Sequence, residues 1–158
     1  MKKTTVTWTI IAIGLIAAAV AFAPDAVMSH CQVPCGIYDD PARIAELREH
    51  SRTVEKAITN INQLSDATDP QGNNQLIRWV NNKETHASYI ITTVSEYFFA
   101  QRVKPVEEGA DGYDAYLEKL AKHHAVIIAA MQCKQHADQE YVTRLNAAID
   151  GIAPYYTE

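Results

Sequence analysis

Apolar residues recur along most of the chain at intervals of three, four and seven, which is the spacing of one face of an α-helix. The first series follows Asp39-Asp40-Pro41. This is a typical helix start, because Asp accepts hydrogen bonds from free backbone amides and Pro tolerates the first helical position. The pattern predicts a helix that ends near Leu64. Its apolar stripe consists of Ile44, Leu47, Val54, Ile58, Ile61 and Leu64.

Three further series predict three further helices, with apolar residues over 76–98, 113–131 and 141–152. Turn formers at 65–73 separate the first two helices. The second should end near Lys104-Pro105, because the residue before proline avoids helical geometry, and a polar loop follows at 107–112. No segment alternates in the manner of a strand. We therefore predict an all-α fold, an antiparallel four-helix bundle with short or moderate connections.

The N-terminus has a different pattern from the rest of the chain. Lys2 and Lys3 precede an almost unbroken apolar segment, residues 6–23, that closes in small residues, as an export signal does. An uncleaved membrane anchor is the alternative, because the segment lies at the lower edge of the length that spans a bilayer. We predict a leader over residues 1–29, which a maturation peptidase removes before His30, in one step or after a first cut behind Ala23. The mature domain would then comprise residues 30–158.

Composition and charge narrow the range of functions. Of the 158 residues, 47% are apolar and 21% are charged, which is typical of a globular domain and unlike a disordered or collagen-like chain. The net charge is −5, so there is no basic field to bind nucleic acid. Three cysteines are too few for a disulfide-built scaffold. We expect Cys133, in the third helix, to be a partly buried free thiol.

Candidate chemistry is concentrated in residues 30–38, HCQVPCGIY, which we call the hook. After cleavage before His30, the new α-amine and the amide nitrogen and thiolate of Cys31 can close two fused five-membered rings around one metal ion. A chain reversal at Val33-Pro34, with a positive φ allowed at the following glycine, can bring the Cys35 thiolate into the same plane. The His30 imidazole then reaches an axial position. A planar set of two nitrogens and two thiolates suits Ni(II) or Cu(II), whereas Zn(II) prefers a tetrahedral site.

The pattern His-Cys-x-x-Pro-Cys-Gly-x-Tyr ahead of a small helical domain resembles the nickel superoxide dismutase family. The likeness continues more loosely through the Asp-Pro helix start, Lys83-Glu84 and residues 96–98. It implies a right-handed four-helix bundle that assembles as a homohexamer and binds nickel through His30, Cys31 and Cys35. The implied reaction converts superoxide, the small-molecule substrate, and protons to dioxygen and hydrogen peroxide by Ni(II)/Ni(III) cycling.

The resemblance also implies roles for residues beyond the ligands. Tyr38 matches a hook tyrosine whose hydroxyl orders water and blocks larger anions. Counting from His30 places at Glu46 the carboxylate that orients the axial imidazole, although a one-residue shift at Arg43-Ile44 would disfavour it. Two positions depart from the family pattern. An aspartate is replaced by Gln32, and the arginine that holds the carboxylate aligns near His86, so we leave that role open.

Two other functions are compatible with the same residues. The chain could be a non-enzymatic exported bundle that binds nickel or copper through the hook. It could also be a membrane-tethered interaction module in which Cys31 and Cys35 form a disulfide, since exported proteins meet an oxidising compartment. We expect export to the periplasm, with contact to the membrane only through the leader. A membrane-tethered precursor, or the cytoplasmic location of other family members, is the alternative.

Overall fold

A computed structural model describes Val33 and residues 36–157 of the protein. All of these residues lie in one compact unit. The predicted leader, residues 1–29, and the predicted ligands His30, Cys31 and Cys35 lie outside the described residues. Within the described part, no helix is both long enough and apolar enough to cross a membrane.

The described part of the chain is all-helical and contains no strand, which confirms the predicted all-α class. The four α-helices are α1 (Asp40–Gln63), α2 (Pro70–Thr92), α3 (Tyr113–Gln135) and α4 (Gln139–Ile152). A π-helical segment, Thr93–Arg102, continues α2 directly. A short 3₁₀ turn, Ala153–Tyr155, follows α4.

The start of α2 differs from the prediction. The helix begins at Pro70, inside the predicted run of turn formers, although its apolar series starts only at Leu76. The Asp69 side chain caps it by accepting hydrogen bonds of 3.0 Å from the amides of Gln71 and Gly72. Proline in the first turn completes the same Asp-Pro start that the sequence shows at α1. Apart from the buried Gly72, the residues of the first turn are exposed, so apolar periodicity does not detect it.

Packing joins the four helices into one core. α1 packs against α2 and α4, and α3 packs against the same two helices. Tyr97 and Phe98 of the π-helical segment are also buried in this core. The largest buried apolar side chains of the four α-helices are Ile44, Leu47, Ile58, Ile90, Leu145, Ile149 and Ile152.

A buried lysine joins α2 to the end of α3. Lys83 is only 4% exposed. Its Nζ donates hydrogen bonds to the carbonyl oxygens of Cys133, at 2.8 Å, and Lys134, and to the Glu84 carboxylate at 2.9 Å. The last turn of a helix leaves its carbonyl groups without helical partners, so the lysine satisfies groups that would otherwise be buried and unbonded.

A buried histidine joins α3 to the C-terminal turn. His123 is fully buried, and its Nδ1 lies 2.7 Å from the carbonyl oxygen of Lys119. Because that oxygen can only accept, Nδ1 carries the proton and Nε2 accepts the hydroxyl proton of Tyr156 at 2.7 Å. Burial lowers the pKa of His123 below its usual 6.5.

Candidate metal centre

The described part of the hook is held by the π-helical segment. The backbone amide of Val33 donates a hydrogen bond to Oε1 of Gln101, with 3.4 Å between the atoms. Gln101 is 2% exposed, and its Nε2 donates to the carbonyl oxygen of Glu96 at 3.1 Å. Gly36 has φ 95°, a conformation that glycine adopts readily and that the sequence predicted at this turn. Val33, which lies between two predicted ligands in the sequence, is therefore fixed to a buried side chain.

Tyr38 lies at the end of the hook, and two side chains of the π-helical segment fix its ring. The ring meets Tyr97 edge-on, with centroids 5.9 Å apart and planes at 83°. The guanidinium carbon of Arg102 lies 4.5 Å from the Tyr38 ring centroid, in a cation–π contact. The predicted hook tyrosine is thus half-buried and held in one orientation.

The two residues that hold Tyr38 share one carboxylate. Arg102 donates to both oxygens of Asp40, the closest contact being 2.6 Å, and the Tyr97 hydroxyl donates to Oδ1 at 2.6 Å. Burial opposes ionisation of Asp40, but the hydrogen bonds from Arg102 and Tyr97 outweigh it and lower the pKa of the carboxyl. Burial and the Asp40 carboxylate raise the pKa of Tyr97, which stays a neutral phenol. The first turn of α1 is thereby tied to the end of the π-helical segment.

Glu46, the predicted carboxylate on α1, lines two pockets. One has a volume of about 260 Å³ and is lined by Val33, Arg43, Glu46, Thr93 and Tyr97. The other has a volume of about 280 Å³ and is lined by Glu46, His50, Tyr89, Thr92 and Thr93. Glu46 therefore lies beside the described hook residue Val33, where a carboxylate could reach the hook. That contact itself stays a prediction, because His30 lies outside the described residues.

The guanidinium that binds Glu46 comes from its own helix. Nη1 of Arg43 lies 2.6 Å from Oε2 of Glu46. The residue that holds this carboxylate is not predicted from the sequence, because the arginine of the family pattern aligns near His86. The spacing of three residues on one helix face was the signal that could have identified Arg43.

His86 instead contacts His50, a residue for which the sequence predicts no particular role. Nδ1 of His50 lies 2.9 Å from Nδ1 of His86, and Nε2 of His50 lies 3.8 Å from Oε1 of Glu46. The His50 side chain is 14% exposed. The ring of Tyr89 packs against both imidazoles, at centroid distances of 5.2 and 5.7 Å. This pair could not be predicted from the sequence, because its members belong to different helices.

The donors of a nickel site are not supplied by the described residues. No group of three or more His, Cys, Asp or Glu side chains among them could hold a metal ion. Cys133 is a free thiol, as predicted, but it is fully rather than partly buried, and burial raises its pKa to about 11. It is therefore a poor source of thiolate. The predicted hook donors, two thiolates and two backbone nitrogens, would suit Ni(II), because thiolates are soft ligands.

The described part of the chain is an all-α domain, the sequence ahead of it carries two cysteines, and comparison with known proteins identifies the family. The family model described as nickel-containing superoxide dismutase matches residues 25–158, most of the chain. The chain therefore belongs to the nickel-containing superoxide dismutase family and is a nickel-dependent superoxide dismutase, an oxidoreductase that acts on superoxide. The predicted family, enzyme class and cofactor are confirmed. No curated protein and no solved structure matches the chain.

Proposed function

We propose that this enzyme dismutes superoxide at a nickel ion held by the hook after cleavage before His30. The ligands are the amine and imidazole of His30, the amide nitrogen and thiolate of Cys31, and the thiolate of Cys35. Bound nickel supplies a one-electron acceptor and donor by passing between Ni(II) and Ni(III). The observation that carries the proposal is the position of Val33, which is bonded to Gln101 and lines the Glu46 pocket.

The reaction sets the demands on the protein. One superoxide loses an electron and becomes dioxygen, while a second gains that electron and two protons and becomes hydrogen peroxide. The chain must therefore admit a small anion, hold the ligands in one geometry and supply two protons for each pair of substrate molecules. Buried side chains with fixed hydrogen bonds meet the second demand, because they hold reacting groups in place at little further entropic cost.

Tyr38 controls access in this proposal. Its ring is fixed between Tyr97 and Arg102, so its hydroxyl occupies a defined position at the end of the hook. A fixed hydroxyl can order a water molecule and leave room for a diatomic anion while excluding larger ones. Because Arg102 is paired with Asp40, it holds the ring without presenting an unpaired positive charge that would attract larger anions.

In this proposal, Glu46 would orient the imidazole of His30. A hydrogen bond from the second ring nitrogen to a carboxylate fixes the tautomer and direction of a ligating histidine. Glu46 lines the pocket that Val33 also lines, and the 2.6 Å contact with Arg43 restrains its carboxylate. This contact supports Glu46 against a one-residue shift of the alignment, which would put a residue without a carboxylate, Ala45 or Leu47, at the position.

We also propose the finer architecture that the resemblance implies. The four α-helices form an antiparallel bundle, which the packing of each helix against two others supports. The bundle assembles as a homohexamer. Large apolar side chains are exposed at Ile37, Ile77 and Tyr89, and a subunit interface would cover such residues. Residues 1–29 act as an export signal to the periplasm, which the basic start and apolar segment of the sequence support.

Three cysteine variants test the proposed nickel site. Cys31→Ser and Cys35→Ser remove one thiolate each, so both should lose bound nickel and dismutase activity. Cys133→Ser, the matched control, changes a thiol that is buried away from solvent, and it should keep both. Metal analysis and the rate of superoxide decay measure the result. Equal loss in all three variants, or full nickel in either hook variant, would contradict the proposal.

A further inference from the structure

We propose that His50 and His86 form a proton relay that delivers protons to the pocket beside Glu46 during dismutation. The inference rests on the proposed position of nickel at the hook. The pair joins α1 to α2 across 36 positions of sequence, and its contact with Glu46 links it to the pocket that Val33 also lines.

The geometry of the pair requires one shared proton. Nδ1 of His50 and Nδ1 of His86 are 2.9 Å apart, a hydrogen-bond distance at which one nitrogen must donate and the other accept. When both rings are neutral, they are therefore opposite tautomers. One ring has its proton on Nδ1 and a free lone pair on Nε2, while the other has its proton on Nε2.

This arrangement lets a proton enter at one end as another leaves at the other. Consider the state in which His86 donates to His50. A proton from water binds Nε2 of His86, the shared proton moves to Nδ1 of His50, and the proton on Nε2 of His50 leaves toward Glu46. One proton has entered and one has left, and no electron has moved. Both rings then hold the opposite tautomer and recover the first by exchanging protons with water.

The proton leaves the relay at Nε2 of His50, which lies near Glu46, and Glu46 lines the pocket beside Val33. Nε2 of His50 lies 3.8 Å from Oε1 of Glu46, too far for a direct hydrogen bond and near enough for transfer through one water molecule. Glu46 lines both pockets, one with Val33 and the other with His50. A proton that leaves His50 thus reaches the space beside the hook without crossing the apolar core.

The surrounding charges keep the pair ready to exchange protons. Burial and the neighbouring imidazole lower the pKa of His86 below 6.5, while Glu49 opposes this shift. The lowered pKa favours the neutral form of His86, which is the form that the relay needs before each transfer. The titratable or charged groups that the structure places against the pair are Glu46 and Glu49 of α1, with Arg43 bound to Glu46, and Tyr89 of α2.

Glutamine variants of the two histidines test the relay in the nickel-loaded enzyme. His50→Gln and His86→Gln interrupt proton transfer and should lower the dismutation rate about 10²-fold, as expected for loss of a group that transfers protons in catalysis. Imidazole added to the solution should restore part of the rate. His124→Gln, an exposed histidine on α3, is the matched control and should behave as the parent. The pH dependence of the rate, measured above and below 6.5, should change only in the first two variants.

A second measurement does not depend on activity. In the processed, nickel-loaded protein, nitrogen NMR shifts of the two rings should show opposite neutral tautomers, and the tautomer of each ring should change when the other is replaced by glutamine. The same tautomer on both rings, or a tautomer that glutamine at the other position leaves unchanged, would overturn the relay. Loss of nickel in the histidine variants would also overturn it, because the pair would then be structural.

Two measurements distinguish a wrong relay proposal from a wrong nickel-site proposal. If the parent protein shows no thiolate-to-nickel absorption, the hook proposal fails. If that absorption is present in the parent and in both histidine variants, and the pH dependence of the rate is unchanged, only the relay fails.

Discussion

Tyr38 illustrates what a motif can establish about a single residue. Tyr38 matches the hook tyrosine of the family pattern, and the resemblance implies a role in access to the metal. It could not predict that Tyr97 and Arg102 would fix the ring, because both lie far along the chain and meet Tyr38 only in the folded domain. Glu46 is a similar case. Counting from His30 predicted a role for this residue, and only the structure shows that it lies beside Val33 and is bound by Arg43.

Removing the Tyr38 hydroxyl should separate access from nickel binding. Tyr38→Phe keeps the ring against Tyr97 and the guanidinium of Arg102, so the hook should stay folded and nickel should stay bound. Inhibition by a small foreign anion such as azide should strengthen, because the hydroxyl no longer restricts entry. Tyr155→Phe, at a partly exposed position, is the control. Nickel loss in Tyr38→Phe alone would show that the residue supports the metal site itself.

The helices show which parts of the fold periodicity can predict. The predicted bounds of α1 are close to those observed, because the apolar stripe and the Asp-Pro start coincide there. The π-helical segment, Thr93–Arg102, was predicted only as part of a continuous helix. The buried apolar residues of this segment, Val94, Tyr97 and Phe98, have the spacing of three and four that also fits an α-helix, so the apolar pattern does not reveal its π-helical hydrogen bonds. This segment directs Tyr97, Gln101 and Arg102 toward the hook and the start of α1.

Gln101 should hold the hook through this segment. Gln101→Met keeps most of the side-chain volume but removes the acceptor for the Val33 amide and the donor to Glu96. The loss of hydrogen bonds should lower stability by about 1–3 kcal/mol. Nickel should dissociate faster, because the hook loses a buried attachment. Gln135→Met, at an exposed position near the end of α3, should leave nickel release unchanged. Equal release rates in both variants would show that Val33 is held by other contacts.

The fold class of the whole domain could be predicted from the sequence, but its long-range polar contacts could not. Apolar patterning was sufficient to predict four helices and no strands in the described part of the chain. It could not predict Lys83 at the end of α3 or His123 beneath Tyr156, because each joins distant segments through hydrogen bonds. Buried polar residues have no periodic signal, and their partners are known only when the helices are packed.

The buried His123 allows a prediction of how the stability of the domain depends on pH. Folding lowers the pKa of His123, so the unfolded chain binds its proton first as the pH falls. The stability that His123 contributes is complete above 6.5 and is lost as the pH falls from that value toward the lowered pKa of the folded state. The free energy of unfolding should decrease there by up to about 1.4 kcal/mol per pH unit.

Chemical denaturation at a series of pH values measures this dependence. His123→Leu should remove the histidine contribution to the slope, while His124→Leu, which is exposed on the same helix, should retain it. Asp40 adds a second acid-sensitive contribution at lower pH, because its pKa in the folded domain lies below 3.8. An unchanged slope in His123→Leu would show that another group governs the loss of stability.

The most direct test of the proposed nickel site is the intact mass of the active, nickel-bearing chain, recorded under conditions that keep the metal bound. The free amine of His30 exists only if the preceding residues have been removed. We predict a chain that begins at His30 and carries one nickel ion, and that loses the ion when Cys31 or Cys35 is replaced. A fully active, nickel-bearing chain that still carries residues before His30 would contradict the proposed ligand set.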